Sequence, residues 1–336
     1  MNRILSMVFA AALLAALAVG WQWYAYRHTP LPIDASPARV RIERGMSLNE
    51  MSAALRTSGV RVGDATFWLA ARLRGDSRAI KAGTYDIKAP STLAELLDKF
   101  VRGDVVLAEL RIPEGWTFRQ MRAAVAAHPE LQHDSVALSE GELLARIGAT
   151  ATRAEGWFFP STYRFSPGSS DFDVYRQAHR LMQKALAEAW AARAPGLPFD
   201  APEQVLILAS IVEKETGQAG DRDRVAAVFV NRLRRGMPLQ SDPTTIYGLG
   251  ERFDGNLRRS DLRTDHPHNT YTRTGLPPTP IALPGSASLY AATHPAPIRA
   301  LYFVARGDGS SEFSDDLTAH NRAVARYQLR RPTDKD

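Results

Sequence analysis

The sequence contains no cysteine, which excludes disulfide frameworks, thiolate metal sites and a cysteine nucleophile. It also lacks a Walker loop, a dinucleotide fingerprint after a strand and a nucleophile elbow, so phosphate and cofactor chemistry have nothing to rest on. No HExxH pair is present, and His266-Pro267-His268 is the nearest approach to a metal pair. Without a third ligand at helical spacing or an acidic cluster, those histidines read as surface or hydrogen-bonded residues. No metal and no cofactor are expected.

Charge is close to balanced, with Lys+Arg 42 against Asp+Glu 36 and a formal net charge of +6. Such an excess suits an anionic partner such as an acidic polymer, and equally a plain basic surface. At 336 residues and 45% hydrophobic content the chain buries a real core in two or three domains.

Residues 4–26 carry no charge, and a helix of that length rises about 35 Å, enough for a bilayer core of roughly 30 Å. Ala16-Leu17-Ala18 resembles a signal-peptide cleavage site. The run exceeds a usual signal core, however, and Trp21, Trp23, Tyr24 and Tyr26 form an interfacial aromatic belt. Residues 1–28 are therefore expected to be a single-pass transmembrane anchor, with Asn2-Arg3 inside and the bulk of the chain outside.

A proline-rich spacer covers 29–38. A strand at Arg39–Ile42, a helix opened by the Ser47/Glu50 capping-box spacing, a helix over 64–73, a strand over 82–87 and a helix from Ser91 to about Val101 make a small α/β module over 39–104. A mixed α+β domain follows over 105–330, so the fold class is α+β. Within it EGWFFPSTY at 155–163 packs four aromatics around a glycine and a proline. Such a cluster serves either as core or as a stacking surface for sugar rings.

The stretch ILASIVEKETGQAG, 207–220, ends an apolar run in Glu213, Lys214 and Glu215. At about 100° per residue from Val205, Glu215 projects near 280°, with the bulky apolar side chains centred near 290°, and Glu213 near 80°. Desolvation against an apolar wall raises a carboxyl's pKa and suits Glu215 to general acid work. The competing reading is a solvated helix end paired with Lys214 or Arg222. Two carboxylates some 200° apart on one helix do not flank a single bond, which argues against a glycosidase pair built from Glu213 and Glu215.

Several segments together resemble the endolytic murein transglycosylase (YceG-like) family. They are EGWFFPSTY at 155–163, ASIVEKET at 209–216, RVAAVFVNRLRRGMPLQSDPTTIYG at 224–248, NTYTRTGLPP at 269–278, HPA at 294–296, LYFV at 301–304 and His320-Asn321. The resemblance implies an N-terminal span, a LysM-like module and a catalytic domain. It implies an enzyme that cleaves the MurNAc–GlcNAc β-1,4 bond inside peptidoglycan strands, leaving 1,6-anhydro ends, with Glu215 as sole acid/base. Gln240, Asp242, Tyr247, Asn269 and Tyr271 fall in matching motif loops and are assigned to sugar binding or to positioning Glu215, and Glu213 to orienting neighbouring loops. His268 and Leu283 depart from the family's common Tyr and Asn. Implied partners are glycan strands, the membrane and cell-wall synthases, with no nucleic acid. The implied location is the cell inner membrane, with the catalytic domain on the periplasmic side. A muramidase-type hydrolase using the same Glu215, or a non-catalytic glycan-binding scaffold, remain as alternatives.

Overall fold

The computed structural model describes residues 2–328. The chain forms two compact units: one runs to Ala108 and takes in Arg164–Gly168, and the other holds Glu109–Tyr163 and the chain from Ser169 onward.

In the first unit, strand Ala38–Ile42 pairs antiparallel with Gly83–Ile87, Val40 opposite Tyr85. Alternate residues of Ala38–Ile42 are buried, as a sheet covered on one face requires. Helices Leu48–Thr57 and Asp64–Leu73 lie between the strands in sequence and Leu93–Arg102 follows them. The Ser47/Glu50 capping box forms as read from the sequence. The third helix is capped one residue later than expected, by Thr92 with Glu95. Leu55, Phe67, Leu97 and the edge-on pair Tyr85–Phe100 fill the core.

The N-terminal segment is helical over Asn2–His28. Among the described residues, however, no helix is long and apolar enough to cross a membrane. This overturns the expected transmembrane anchor, the membrane partner and the inner-membrane location. The last turn of the helix belongs to the globular unit: Tyr26 packs on its core and accepts a hydrogen bond from Arg74 Nη1 at 2.6 Å. Trp23 and Tyr26 form a ring pair with centroids 5.6 Å apart. The stretch before the aromatics, 4–20, rises only about 25 Å, short of a hydrocarbon core of roughly 30 Å.

The second unit is built around helix Pro202–Glu215, opened by proline at its first position, where the missing N–H has no partner to lose. Helices Asp171–Ala191, Arg222–Arg234, Asp242–Leu249 and Ser286–Thr293 all pack against it. Every residue from Val205 to Val212 is therefore buried. Helical phase predicts one apolar face, whereas the helix is enclosed all round until it reaches Glu213. Strands Tyr302–Ala305 and Ser311–Ser314 pair antiparallel, and helix Leu317–Tyr327 follows. Phe158 and Tyr163 of the aromatic cluster are fully buried. Phe158 stacks on Phe118 at 5.1 Å, so this part of the cluster is core.

Candidate active site

Glu215 is the final residue of the enclosed helix, where the backbone turns extended at Thr216 and the side chain emerges half-buried. Its Oε1 accepts the hydroxyl hydrogen of Ser241 at 2.5 Å. Ser241 is buried, and its N–H is held by Thr270 Oγ1 at 3.0 Å. Burial, reinforced by the nearby Asp242 charge, pushes the Glu215 carboxyl up to about 7, against the opposing pull of the Ser241 hydroxyl and Arg232. A carboxyl so poised holds its proton near neutrality and still releases it readily.

Three residues expected at the site gather around this pair. Asp242 opens helix Asp242–Leu249 and accepts from the Tyr271 hydroxyl at 2.5 Å. Gln240 adopts a left-handed φ of 52°, uncommon for a residue with a side chain. Its N–H donates to Thr270 O at 3.1 Å and its Oε1 accepts from Arg232 Nη1 at 3.2 Å. Arg232, 8% exposed, also donates to the carbonyls of Leu301 at 2.7 Å and Leu239 at 2.8 Å. One buried guanidinium thus ties the Ser241 loop to the chain beyond Ala300.

Glu213 turns elsewhere and accepts the Gly285 N–H at 3.0 Å, while Lys214 Nζ donates to Gly115 O at 3.2 Å. Three consecutive side chains thus serve three neighbours. Asn269 is buried and its amide is occupied. Nδ2 donates to the carbonyls of Asp261, Leu262 and Thr264, and Oδ1 accepts from Thr245 Oγ1 and the Tyr271 N–H. It braces the loop that presents Tyr271.

Tyr247 lies in a neighbouring cleft of about 970 Å³, lined also by Phe118, Arg119, Arg153, Glu155, Lys214, Pro243, His266, His268 and Ile281. Lys214 and Pro243 directly adjoin Glu215 and Asp242 in the chain. Glu155, which the sequence reading passed over, is 8% exposed. Its Oε1 accepts the Phe118 N–H at 2.9 Å and its Oε2 the Tyr247 hydroxyl at 3.2 Å. Burial pushes this carboxyl also up to about 7. Gly156 explains the tight turn: its φ is +82°, and a Cβ there would meet Pro280 at 2.5 Å. His268 Nε2 is 2.9 Å from Thr279 Oγ1, and among the described residues no group of three or more metal-ligating side chains is placed to hold an ion.

The model of the YceG-like family matches residues 40–326. The chain belongs to the YceG-like family. The matched span contains Glu215, Ser241, Glu155 and every other site residue named above. Among relatives of this YceG-like chain, the endolytic murein transglycosylase of Bacillus subtilis is 29% identical, over 86% of this chain and 84% of that protein. That of Streptococcus pneumoniae serotype 2 is 27% identical over 96% of this chain, which spans only 64% of the pneumococcal protein's length. A crystal structure of a YceG-like protein from Listeria monocytogenes matches with a TM-score of 0.53 at 28% identity, covering 84% of this chain and 98% of that one.

Proposed function

We propose that the chain is a peptidoglycan lytic transglycosylase that cuts the MurNAc–GlcNAc β-1,4 bond within glycan strands, with Glu215 as its single acid/base. The names of the curated relatives support the substrate and the reaction class. The observation that carries the assignment to Glu215 is its carboxyl at the mouth of an enclosed helix, held by Ser241 at 2.5 Å and pushed up to about 7 by burial.

Protonated Glu215 gives its proton to the glycosidic oxygen as the C1–O bond breaks, and positive charge develops at C1 and the ring oxygen. The resulting carboxylate then takes the proton of the muramyl C6 hydroxyl while O6 bonds to C1. The ring closes as a 1,6-anhydro end, Glu215 is reprotonated, and no water is consumed. Ser241 fits this exchange because its hydroxyl favours the carboxylate form without forcing it. Asp242, Tyr271 and Gln240 border the site as contacts for sugar hydroxyls, and Glu213 and Asn269 hold its loops.

The first unit is read as a LysM-like module for glycan. Its strand–helix–helix–strand order with antiparallel pairing supports this.

Digesting purified peptidoglycan with the protein and weighing the new ends tests the reaction. Anhydro ends are one water lighter than reducing ends. Reducing ends would make the enzyme a hydrolase, and a Glu215→Gln protein as fast as the parent would remove Glu215 from the chemistry.

A further inference from the structure

The cleft beside Glu215 holds a carboxyl for which the reaction above has no use. Glu155 lies in its floor, its Oε1 accepting the Phe118 N–H and its Oε2 the Tyr247 hydroxyl, with the Gly156 N–H also directed at the carboxyl. An ionised carboxyl offers about four acceptor sites, so about one is left for a ligand. The ring of His268 lies 4.9 Å from that of Tyr247. Its Nε2 meets Thr279, while its Nδ1 is buried without a partner. An orphaned buried nitrogen in a cleft wall is an unmet hydrogen bond.

The three groups share an electrical character. Burial drives the Glu155 carboxyl up to about 7, the His268 imidazole down to about 4 and the Tyr247 phenol well above its usual range. Near neutrality the imidazole and the phenol are therefore uncharged and Glu155 is about half protonated, so the floor carries little charge, is rich in hydrogen-bonding atoms and is flanked by Phe118 and Ile281. Charge is kept to other lining residues: Arg119 pairs with Glu251 at 3.0 Å and Arg153 with Glu140 at 3.4 Å. A neutral polar floor with apolar walls complements an uncharged amide that ends in a methyl group.

We propose that Glu155, Tyr247 and His268 form an acetamido subsite, taking the N-acetyl amide of one sugar of the strand while Phe118 and Ile281 face its methyl. This rests on the glycan-cleaving reading, but it concerns recognition and not the acid. Discrimination then comes from polar atoms that stay unsatisfied whenever a sugar lacks the amide, a larger penalty than a missing apolar contact imposes.

The full chain carrying Glu215→Gln is titrated calorimetrically with chitotetraose and with cellotetraose, both neutral β-1,4 tetramers that differ in the acetamido group. We expect chitotetraose to bind at least about tenfold tighter, as loss of one buried hydrogen bond implies. Adding Tyr247→Phe, which keeps the ring, or His268→Phe should collapse that ratio toward one while the melting temperature holds. Equal binding of the two tetramers, binding of neither, or a ratio untouched by both substitutions overturns the subsite. Cleavage of peptidoglycan by the parent protein is scored separately. Cleavage without discrimination sinks the subsite alone, and discrimination without cleavage sinks the transglycosylase reading alone.

Discussion

The Ser241 hydroxyl donates to Glu215 Oε1 at 2.5 Å, so the group assigned to proton transfer is held by a neutral donor that stabilises its charged form. Asp242 opposes this electrostatically, and Arg232 assists it.

Ser241→Ala removes that donor. A hydrogen bond to a charged group contributes about 1.5–3 kcal/mol, equivalent to roughly one to two pH units. The Glu215 carboxyl should move further up, and the alkaline limb of the kcat/KM profile should shift to higher pH by that amount. A limb that stays put would detach Ser241 from the acid.

In the proposed scheme the first step needs Glu215 protonated, so kcat/KM should fall as pH rises through about 7. Glu215→Gln should lower cleavage by about 10²–10⁴-fold with an unchanged circular dichroism spectrum. Rates followed by release of soluble muropeptides check both.

Glu155 shapes the pH dependence of stability. Its folded-state value, about 7 against an ordinary 4.5, is raised. The folded protein therefore binds this proton more tightly, and the stability it confers is complete below about 4.5 and lost as pH climbs through 7. The shift corresponds to about 3 kcal/mol. Urea unfolding of Glu155→Gln and parent at pH 4 and pH 8 should show the difference moving toward the variant by that order, a comparison that cancels the parallel contribution of Glu215.

Gly156→Ala should destabilise the protein by about 2–4 kcal/mol. It places a Cβ at positive φ and 2.5 Å from Pro280, combining backbone strain with overpacking. Thermal unfolding reads this directly, and a loss under about 1 kcal/mol would show that the Pro280 segment yields.

Local chemistry made much of the fold legible. The capping residues, the proline opening Pro202–Glu215 and the alternation in Ala38–Ile42 each specify their element through neighbours in sequence. The enclosure of Val205–Val212 depends on four helices from distant parts of the chain, so no single-helix phase could foresee it. Glu215 stood out because it broke an apolar run. Glu155 did not, being masked by the four aromatics that follow it, although a lone acid entering such a cluster was itself a signal. Asn269 has the composition of a sugar ligand, and only its five hydrogen bonds reveal a brace. The N-terminal helix shows the opposite fault: its apolar length was plain, but the docking of Tyr26 on Arg74 was not.

The enclosed helix has a consequence for how such chains tolerate length changes. Its body is clamped on every side, so it acts as a ruler whose final mark is Glu215. Deleting one residue within Val205–Val212 would turn that carboxyl by about 100° and draw it back about 1.5 Å, out of reach of Ser241. Insertions and deletions should therefore be absorbed in the loops beyond Thr216, and the count of residues within the helix should be as constrained as the acid it carries.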